Sequence, residues 1–351
     1  GHQGEYTIHC ASHNGMLRLM QNVNEGNATI ADQPPVLVIA GPTASGKSHL
    51  AMAVAESFGG EIVNADSMQV YRELAILTAR PSPADENRVP HHLYGIQSVS
   101  EVSSAGAWLK TAVQVIDDIR RRGRWPIVCG GTGLYLKVLR EGIAPIPDIP
   151  ADVFDVARRL YKEEGPAAFH KRLVAVDTAA ADRLPPADRQ RLIRAYAVKQ
   201  ATGRTLDEWQ AMQSAEPPLE GPFFTVVLTP PRDALYARID QRFDAMIDAG
   251  ALEEVTALDP KLDISLPALK ALGVSEFRRH MDGQCELADA VAIAQQVTRN
   301  FAKRQGTWFR NQLTADLEIE GFGDQADGDV CREIAVTFPA RTLMPKLNRK
   351  D

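Results

Sequence analysis

The 351-residue chain has four cysteines, Cys10, Cys129, Cys285 and Cys331, too far apart to form a C-x-x-C pair. That spacing argues against both a disulfide framework and a zinc knuckle. No apolar run approaches the 18 residues that a membrane span needs, and no charged-then-apolar start resembles a secretory signal. A cytoplasmic protein without a membrane partner is the expectation. No internal repeat is present, so a solenoid or array is excluded as well. The net charge is −6, a balance that disfavours nucleic acid as a partner unless local basic clusters override it. What the chain does have is 44% hydrophobic residues, enough for a sizeable core and for two domains.

Residues 1–33 mix Gly, Asn, Gln and Ser without periodicity and read as a flexible leader outside the fold. Immediately after them comes the most informative stretch, Gly41-Pro42-Thr43-Ala44-Ser45-Gly46-Lys47-Ser48, which fits the phosphate-loop pattern G-x-x-x-x-G-K-[ST]. The apolar strand Val36–Ala40 precedes it and a helix starting near His49 follows, which is the context the pattern requires. In such a loop the amides turn onto phosphate oxygens, the helix N-terminus adds its positive end, Lys47 supplies charge and Ser48 can ligate Mg²⁺. By default the loop reads as an ATP or other nucleotide site, and it serves hydrolases, kinases and other transferases alike.

Two more apolar strands end in site-like residues, Glu61-Ile62-Val63-Asn64-Ala65-Asp66-Ser67 and Pro126-Ile127-Val128-Cys129-Gly130-Gly131-Thr132-Gly133, and a fourth is expected at Phe223–Leu228. In an open α/β sheet ligands bind at the carboxyl ends of parallel strands, which makes Asp66 and Thr132 candidates. The second strand ends in glycine where an ATPase would carry an acid, so hydrolysis loses ground. Asp66 suits a general base; its bland alternative is a cap or turn residue. The predicted fold is an α/β phosphate-loop sheet flanked by helices, with core segments 34–148 and 218–320, an inserted helical subdomain at 149–217 and a weakly patterned tail at 321–351. Within the insert, a helix capped by Asp188 and ending at Gly203 is predicted.

Three basic groups stand out. Arg238 and Arg242 are four apart on one helical face, where they suit either a diphosphate clamp or a solvated stripe with Asp240 and Asp244. Arg120-Arg121-Arg122-Gly123-Arg124 reads as a solvated helix end favoured by the dipole. Lys303-Arg304-Gln305-Gly306-Thr307-Trp308-Phe309-Arg310 interleaves basic residues with aromatics, suited to RNA phosphates and unpaired bases or, for Trp308 and Phe309, to the core. His91-His92 lacks partners at metal-ligand spacing and reads as structural.

Taken together these segments resemble the tRNA dimethylallyltransferases (tRNA isopentenyltransferases) of bacterial type. The resemblance runs in order through the phosphate loop, Asn64 to Arg72, Thr78-Ala79-Arg80-Pro81, Pro90-His91-His92-Leu93, Gly130 to Tyr135, Gln190 to Ala195, Arg238 to Arg242 and Lys303 to Arg310. It implies transfer of a dimethylallyl group from dimethylallyl diphosphate to N6 of adenosine 37 in the tRNA anticodon loop, with Mg²⁺ as cofactor. The implied catalytic residues are Asp66, Thr132 and Arg242. Gly41, Thr43, Ala44, Ser45, Gly46, Lys47, Ser48 and Arg238 would bind the donor, with Ser48 on the metal. Asp66, Ser67, Met68, Gln69, Thr132, Gln190, Arg191, Arg194, Lys303, Arg304, Trp308 and Arg310 would meet the anticodon stem-loop. A monomer is expected. Two segments depart from the family pattern: Phe154 stands where many members carry arginine, and Leu272-Gly273-Val274-Ser275-Glu276 replaces the usual G-Y-[KR]. An adenylate isopentenyltransferase acting on free AMP or ATP shares the core but lacks the insert. A phosphate-loop small-molecule kinase is the rival from another class.

Overall fold

The computed structural model describes residues 6–10, 33–212 and 217–339. Its centre is a seven-stranded sheet: β1 (Thr7–Cys10), β2 (Val36–Ala40), β3 (Gly60–Asn64), β4 (His91–His92), β5 (Trp125–Gly130), β6 (Phe223–Leu228) and β7 (Leu317–Glu320). The order is β1-β7-β6-β2-β5-β3-β4, with every pair parallel except β1 with β7. Strands buried on both faces read as unbroken apolar runs, and β2 is buried at all five positions. Because the chain passes from β2 to β3 and only later inserts β5 between them, β2 sits where the winding reverses. The crevice at its carboxyl end is therefore the expected ligand site.

One face of the sheet is covered by the helices Lys47–Phe58 and Gly323–Thr337, through Leu50, Val54, Phe58, Ala326, Val330 and Ile334. Over the other face lie Ala105–Arg121 and Gly133–Glu141, where Trp108 stacks on Tyr135 at 4.3 Å. A separate apolar cluster joins Arg232–Asp248, Val274–Met281 and Leu287–Gln312 around Phe243 and Phe277.

Contacts divide the chain into two compact units, one of residues 1–139 with 219–351 and one of residues 140–218. In the second, the helices Ala151–Glu164, Pro166–Val174, Thr178–Arg183, Arg189–Thr202 and Leu206–Ala211 enclose Ala157, Phe169, Leu173, Leu192 and Ala195. Asp188 caps Arg189–Thr202 by accepting from the Arg191 N–H, and Gly203 ends that helix in the left-handed conformation.

Two terminal segments depart from the sequence expectation. Residues 7–10, within the expected leader, form β1 on the open edge of β7, with Ile8 turned towards the core and Thr7 and His9 exposed. The remaining leader residues, 1–5 and 11–32, lie outside the described residues. The expected tail, 321–351, contains the helix Gly323–Thr337, whose apolar residues Ala326, Val330 and Ile334 follow the four-residue spacing of a buried helical face. Its last residues, 340–351, lie outside the described residues. Among the described residues no helix is long and apolar enough to cross a membrane.

Candidate active site

The phosphate loop links β2 to the helix Lys47–Phe58, whose N-cap Gly46 has φ +84°. That left-handed turn suits glycine and aims the following amides outward past the helix start. Lys47 Nζ donates to the Pro42 carbonyl at 3.3 Å and so lies back along its own loop. Burial lowers the Lys47 pKa, while Cys129 and Asp66 pull it up and Arg242 pushes it down. Four groups from four segments thus share one electrostatic neighbourhood.

Asp66 follows β3, in a turn built by its neighbours. Asn64 Oδ1 accepts from the Asp66 N–H at 2.8 Å, and Asp66 Oδ1 accepts from the Met68 N–H at 2.9 Å. Asp66 Oδ2 has no partner among the described residues. The carboxylate is therefore both a turn residue and a group with one oxygen left for a substrate proton; the two roles are compatible. Thr132 lies beside it, donating its N–H to the Ala65 carbonyl at 3.1 Å and accepting from the Ser67 N–H at 2.9 Å. Its hydroxyl donates to Ser67 Oγ at 3.2 Å, which commits that proton to the Asp66 turn.

Arg238 and Arg242, one turn apart on Arg232–Asp248, have separate surroundings. Arg238 donates to both oxygens of Asp324, at 2.7 and 2.5 Å, and its guanidinium lies 4.0 Å from the Phe322 ring centroid. Arg242 makes no hydrogen bond or ion pair among the described residues. Burial lowers its pKa, and Asp66 raises it. With Thr43, Ala44, Leu77, Phe243 and Leu272 it lines a cavity of about 20 Å³ against the phosphate loop. Neither the paired clamp nor the solvated stripe describes both arginines: Arg238 is satisfied inside the chain, and Arg242 is the guanidinium left for an anion. Leu272, in the segment that departs from the expected pattern, thus faces the phosphate-loop residues Thr43 and Ala44 across this cavity.

A larger cavity of about 470 Å³ opens next to Ser48, with Met52, Arg80, His91, Tyr94 and Cys129 in its wall. Burial pushes the Cys129 thiol up to about 11, while Lys47 draws it down and Asp66 pushes it further up. It therefore stays protonated and is no nucleophile. Ser48 is an exposed residue at the first turn of the loop helix, its side chain hydrogen-bonded to the Cys129 thiol. No group of three His, Cys, Asp or Glu side chains capable of holding a metal occurs among the described residues. A single hydroxyl beside a phosphate cradle suits Mg²⁺, which is held by few protein oxygens together with substrate phosphates and water.

The remaining expected contacts divide. Gln69 Nε2 donates to the carbonyls of Thr78 and Ala79 at 2.8 and 3.0 Å, which commits its amide to that turn, and Met68 packs on the Val70 and Leu74 cluster. Lys303, Arg304 and Arg310 are exposed on Leu287–Gln312. Phe309 is core, whereas Trp308 is half-buried and lies over Gly133, where an added Cβ would come within 2.4 Å of the indole. In the second unit Gln190 and Arg191 are exposed; Arg194 is half-buried, 5.6 Å from the Phe154 ring centroid, and burial lowers its pKa.

The run at Arg120 is only in part a solvated helix end: Arg121 is exposed beside Asp118, whereas its neighbours are engaged. Arg120 is 6% exposed and donates to the carbonyls of Pro34 and Glu220 at 2.9 and 2.7 Å. Arg122 and Arg124 pair with Glu61, a carboxylate buried in β3 that also meets His92 at 2.8 Å. A buried charge demands partners, and the run supplies them. His91 contacts the Val89 carbonyl at 2.8 Å, in keeping with a structural role for the pair.

Comparison with known proteins fits this geometry. A family profile described as IPP transferase matches residues 69–312, and one described as isopentenyl transferase matches 34–98. The tRNA dimethylallyltransferase of Rhodospirillum rubrum is 50% identical over 283 residues, covering 80% of this chain and 87% of that protein. The chain belongs to the tRNA dimethylallyltransferase family. A second member, from Phenylobacterium zucineum, is 52% identical over 282 residues, covering 80% of this chain and 91% of its own. Among solved structures, the tRNA isopentenylpyrophosphate transferase of Bacillus halodurans superposes with a TM-score of 0.63 at 30% identity, over 89% of this chain and 99% of that one. A eukaryotic dimethylallyltransferase described as acting on tRNA gives 0.68 at 28% identity, over 81% and 71%. Within this family member, sequence reasoning passed over two residues at the site, Gln305 and Asp324. Gln305 lies inside a basic, aromatic-rich motif but has no charge to draw notice, and Asp324 falls in the segment expected to be a tail.

Proposed function

We propose that the protein transfers the dimethylallyl group of dimethylallyl diphosphate to N6 of adenosine 37 in the tRNA anticodon loop, releasing diphosphate. The observation that carries this reading is the grouping of Asp66, with one free carboxylate oxygen, and the cations Lys47 and Arg242 around a phosphate loop whose neighbouring strand ends in glycine. As the donor C1–O bond breaks, its electron pair passes to diphosphate, and the loop amides, Lys47 and Arg242 stabilise the departing charge. The N6 lone pair forms the new bond to C1, and Asp66 takes the N6 proton. That amine is a weak nucleophile because its lone pair is delocalised into the ring, so a placed base matters near bond formation. Thr132 and Ser67 hold the Asp66 turn. Mg²⁺, held by Ser48 with the donor's phosphate oxygens, would neutralise part of the leaving-group charge.

The RNA partner is supported by the exposed cations Lys303, Arg304 and Arg310, by Trp308, and by Gln190, Arg191 and Arg194 in the second unit. The target base must leave its stack to reach a protein base, so loop RNA suits the site better than duplex. The test uses labelled dimethylallyl diphosphate with either an anticodon stem-loop RNA or AMP. Label is expected on the stem-loop. Label on AMP alone would overturn the reading in favour of an adenylate isopentenyltransferase.

A further inference from the structure

Gln305 is 6% exposed in the interior of Leu287–Gln312, flanked along the helix by buried Ala302 and Phe309. Both ends of its amide are engaged, and they reach opposite halves of the site. Oε1 accepts from the Thr43 N–H at 2.9 Å, on the phosphate loop. Nε2 donates to the Gly131 carbonyl at 2.8 Å, in the turn that leads to Thr132. Gly131 leaves room for this: an added Cβ there would stand 2.4 Å from Nε2. From Thr132 the bonds continue through the Ser67 N–H and the Ala65 carbonyl to the Asp66 turn. One buried side chain therefore joins the phosphate loop to the Gly131–Thr132 turn, which in turn is hydrogen-bonded to the segment carrying Asp66.

We propose that Gln305 is a positioning residue for the transfer, setting the donor loop against the Asp66–Thr132 turn so that the donor carbon, the incoming amine and the base align. The role requires an amide. It must accept at one end and donate at the other, and it must do so buried, where an unmet polar group is costly. Glutamate preserves the shape and the acceptor but, when ionised, sets a second acceptor against the Gly131 carbonyl. Methionine preserves approximate length and loses both bonds. The proposal rests on the function proposed above.

Both variants would be assayed for transfer to the stem-loop RNA, and inorganic diphosphate binding would be followed by calorimetry. Gln305→Met is expected to lower kcat about tenfold or more and to weaken diphosphate binding several-fold, in a protein whose thermal midpoint shows it is folded. Gln305→Glu is expected to keep diphosphate affinity within about threefold at neutral pH, because the Thr43 N–H keeps its acceptor, and to lose kcat. Burial raises the pKa of such a carboxyl, and on protonation it donates again. The ratio of Gln305→Glu to wild-type kcat should therefore climb at least fivefold between about pH 8 and about pH 5.5, while the Gln305→Met ratio stays flat. If the methionine variant does not fold, the glutamate ratio alone decides. A flat ratio, or both variants within twofold of wild type in kcat and diphosphate affinity, would overturn the proposal. Failure of the wild-type protein to label RNA would instead sink the proposed function, and the diphosphate measurement would still report on Gln305.

Discussion

At the residue scale, the site consists of few groups with divided tasks. Asp66 spends one carboxylate oxygen on the Met68 N–H and keeps the other free. Asp66→Asn preserves the turn and removes the base. Turnover should fall by about 10²-fold, with diphosphate and RNA binding kept, as single-turnover transfer and equilibrium titration would show. The two arginines should separate in the same way. Arg242 has no partner among the described residues, so Arg242→Gln is expected to raise the KM for dimethylallyl diphosphate about tenfold, the worth of one charge-assisted hydrogen bond. Arg238 is already engaged by Asp324, and Arg238→Gln should raise that KM less than threefold while costing about 1 kcal/mol of stability, since the pair is a third exposed. Equal effects on KM would return Arg238 to the donor clamp. Spacing placed both arginines on one helical face but carried no information about Asp324, which is 86 residues away in sequence.

Elements position these residues through contacts that are mostly remote in sequence. The segment Phe322–Asp324 closes on the back of the phosphate loop: the Gly323 N–H donates to the Ser45 carbonyl at 2.9 Å, and Asp324 holds Arg238. Strand β3 carries the buried Glu61, which anchors Arg122, Arg124 and His92 and so ties the helix Ala105–Arg121 and the strand β4 to the sheet. Burial raises the Glu61 pKa, yet its hydrogen bonds from Arg122 and His92 outweigh this and hold it below the usual carboxylate range. Because the folded-state value is depressed, the stability it contributes is present above the unfolded pKa and fades as pH falls through the folded one. Glu61→Gln should cost about 2–3 kcal/mol at neutral pH, near the low end for a broken buried pair because Arg122 is partly solvated. In urea melts, the gap between variant and wild type should shrink as pH falls below about 4. A gap constant with pH would mean that the ionised form of Glu61 adds nothing. The sequence made the four long parallel strands and the helix Arg189–Thr202 legible through unbroken apolar runs, an Asp cap and a Gly stop. Strands β1 and β7, four residues each, were not, because short edge strands carry too little periodicity to stand out from loops.

For the whole molecule, a net charge of −6 and an RNA partner are reconciled by where the cations stand. Many arginines are consumed internally, as at Glu61, Asp324 and Asp240. Lys303, Arg304 and Arg310 are left exposed on one helix. Replacing these three with alanine should weaken stem-loop binding and flatten the slope of log affinity against log salt by about 2, at roughly 0.7–0.9 for each phosphate no longer neutralised. An unchanged slope would place the RNA elsewhere.

What the sequence by itself determined was the local grammar: a loop of the phosphate-binding pattern, the strand that must precede it, an acid and a glycine run at the ends of neighbouring strands, and ordered motifs that identify the family. These are short-range properties, set by backbone sterics and hydrophobic period. Only the tertiary structure decided which charges are free and which are spent. It paired Arg238 with Asp324 and left Arg242 open, buried Arg120, set Arg122 and Arg124 on Glu61, and joined Thr43 to Gly131 through Gln305. The physical reason is that a charge or an amide takes its role from whatever burial brings within hydrogen-bond reach, and in this fold those partners lie from about sixty to more than two hundred and fifty residues apart in the chain.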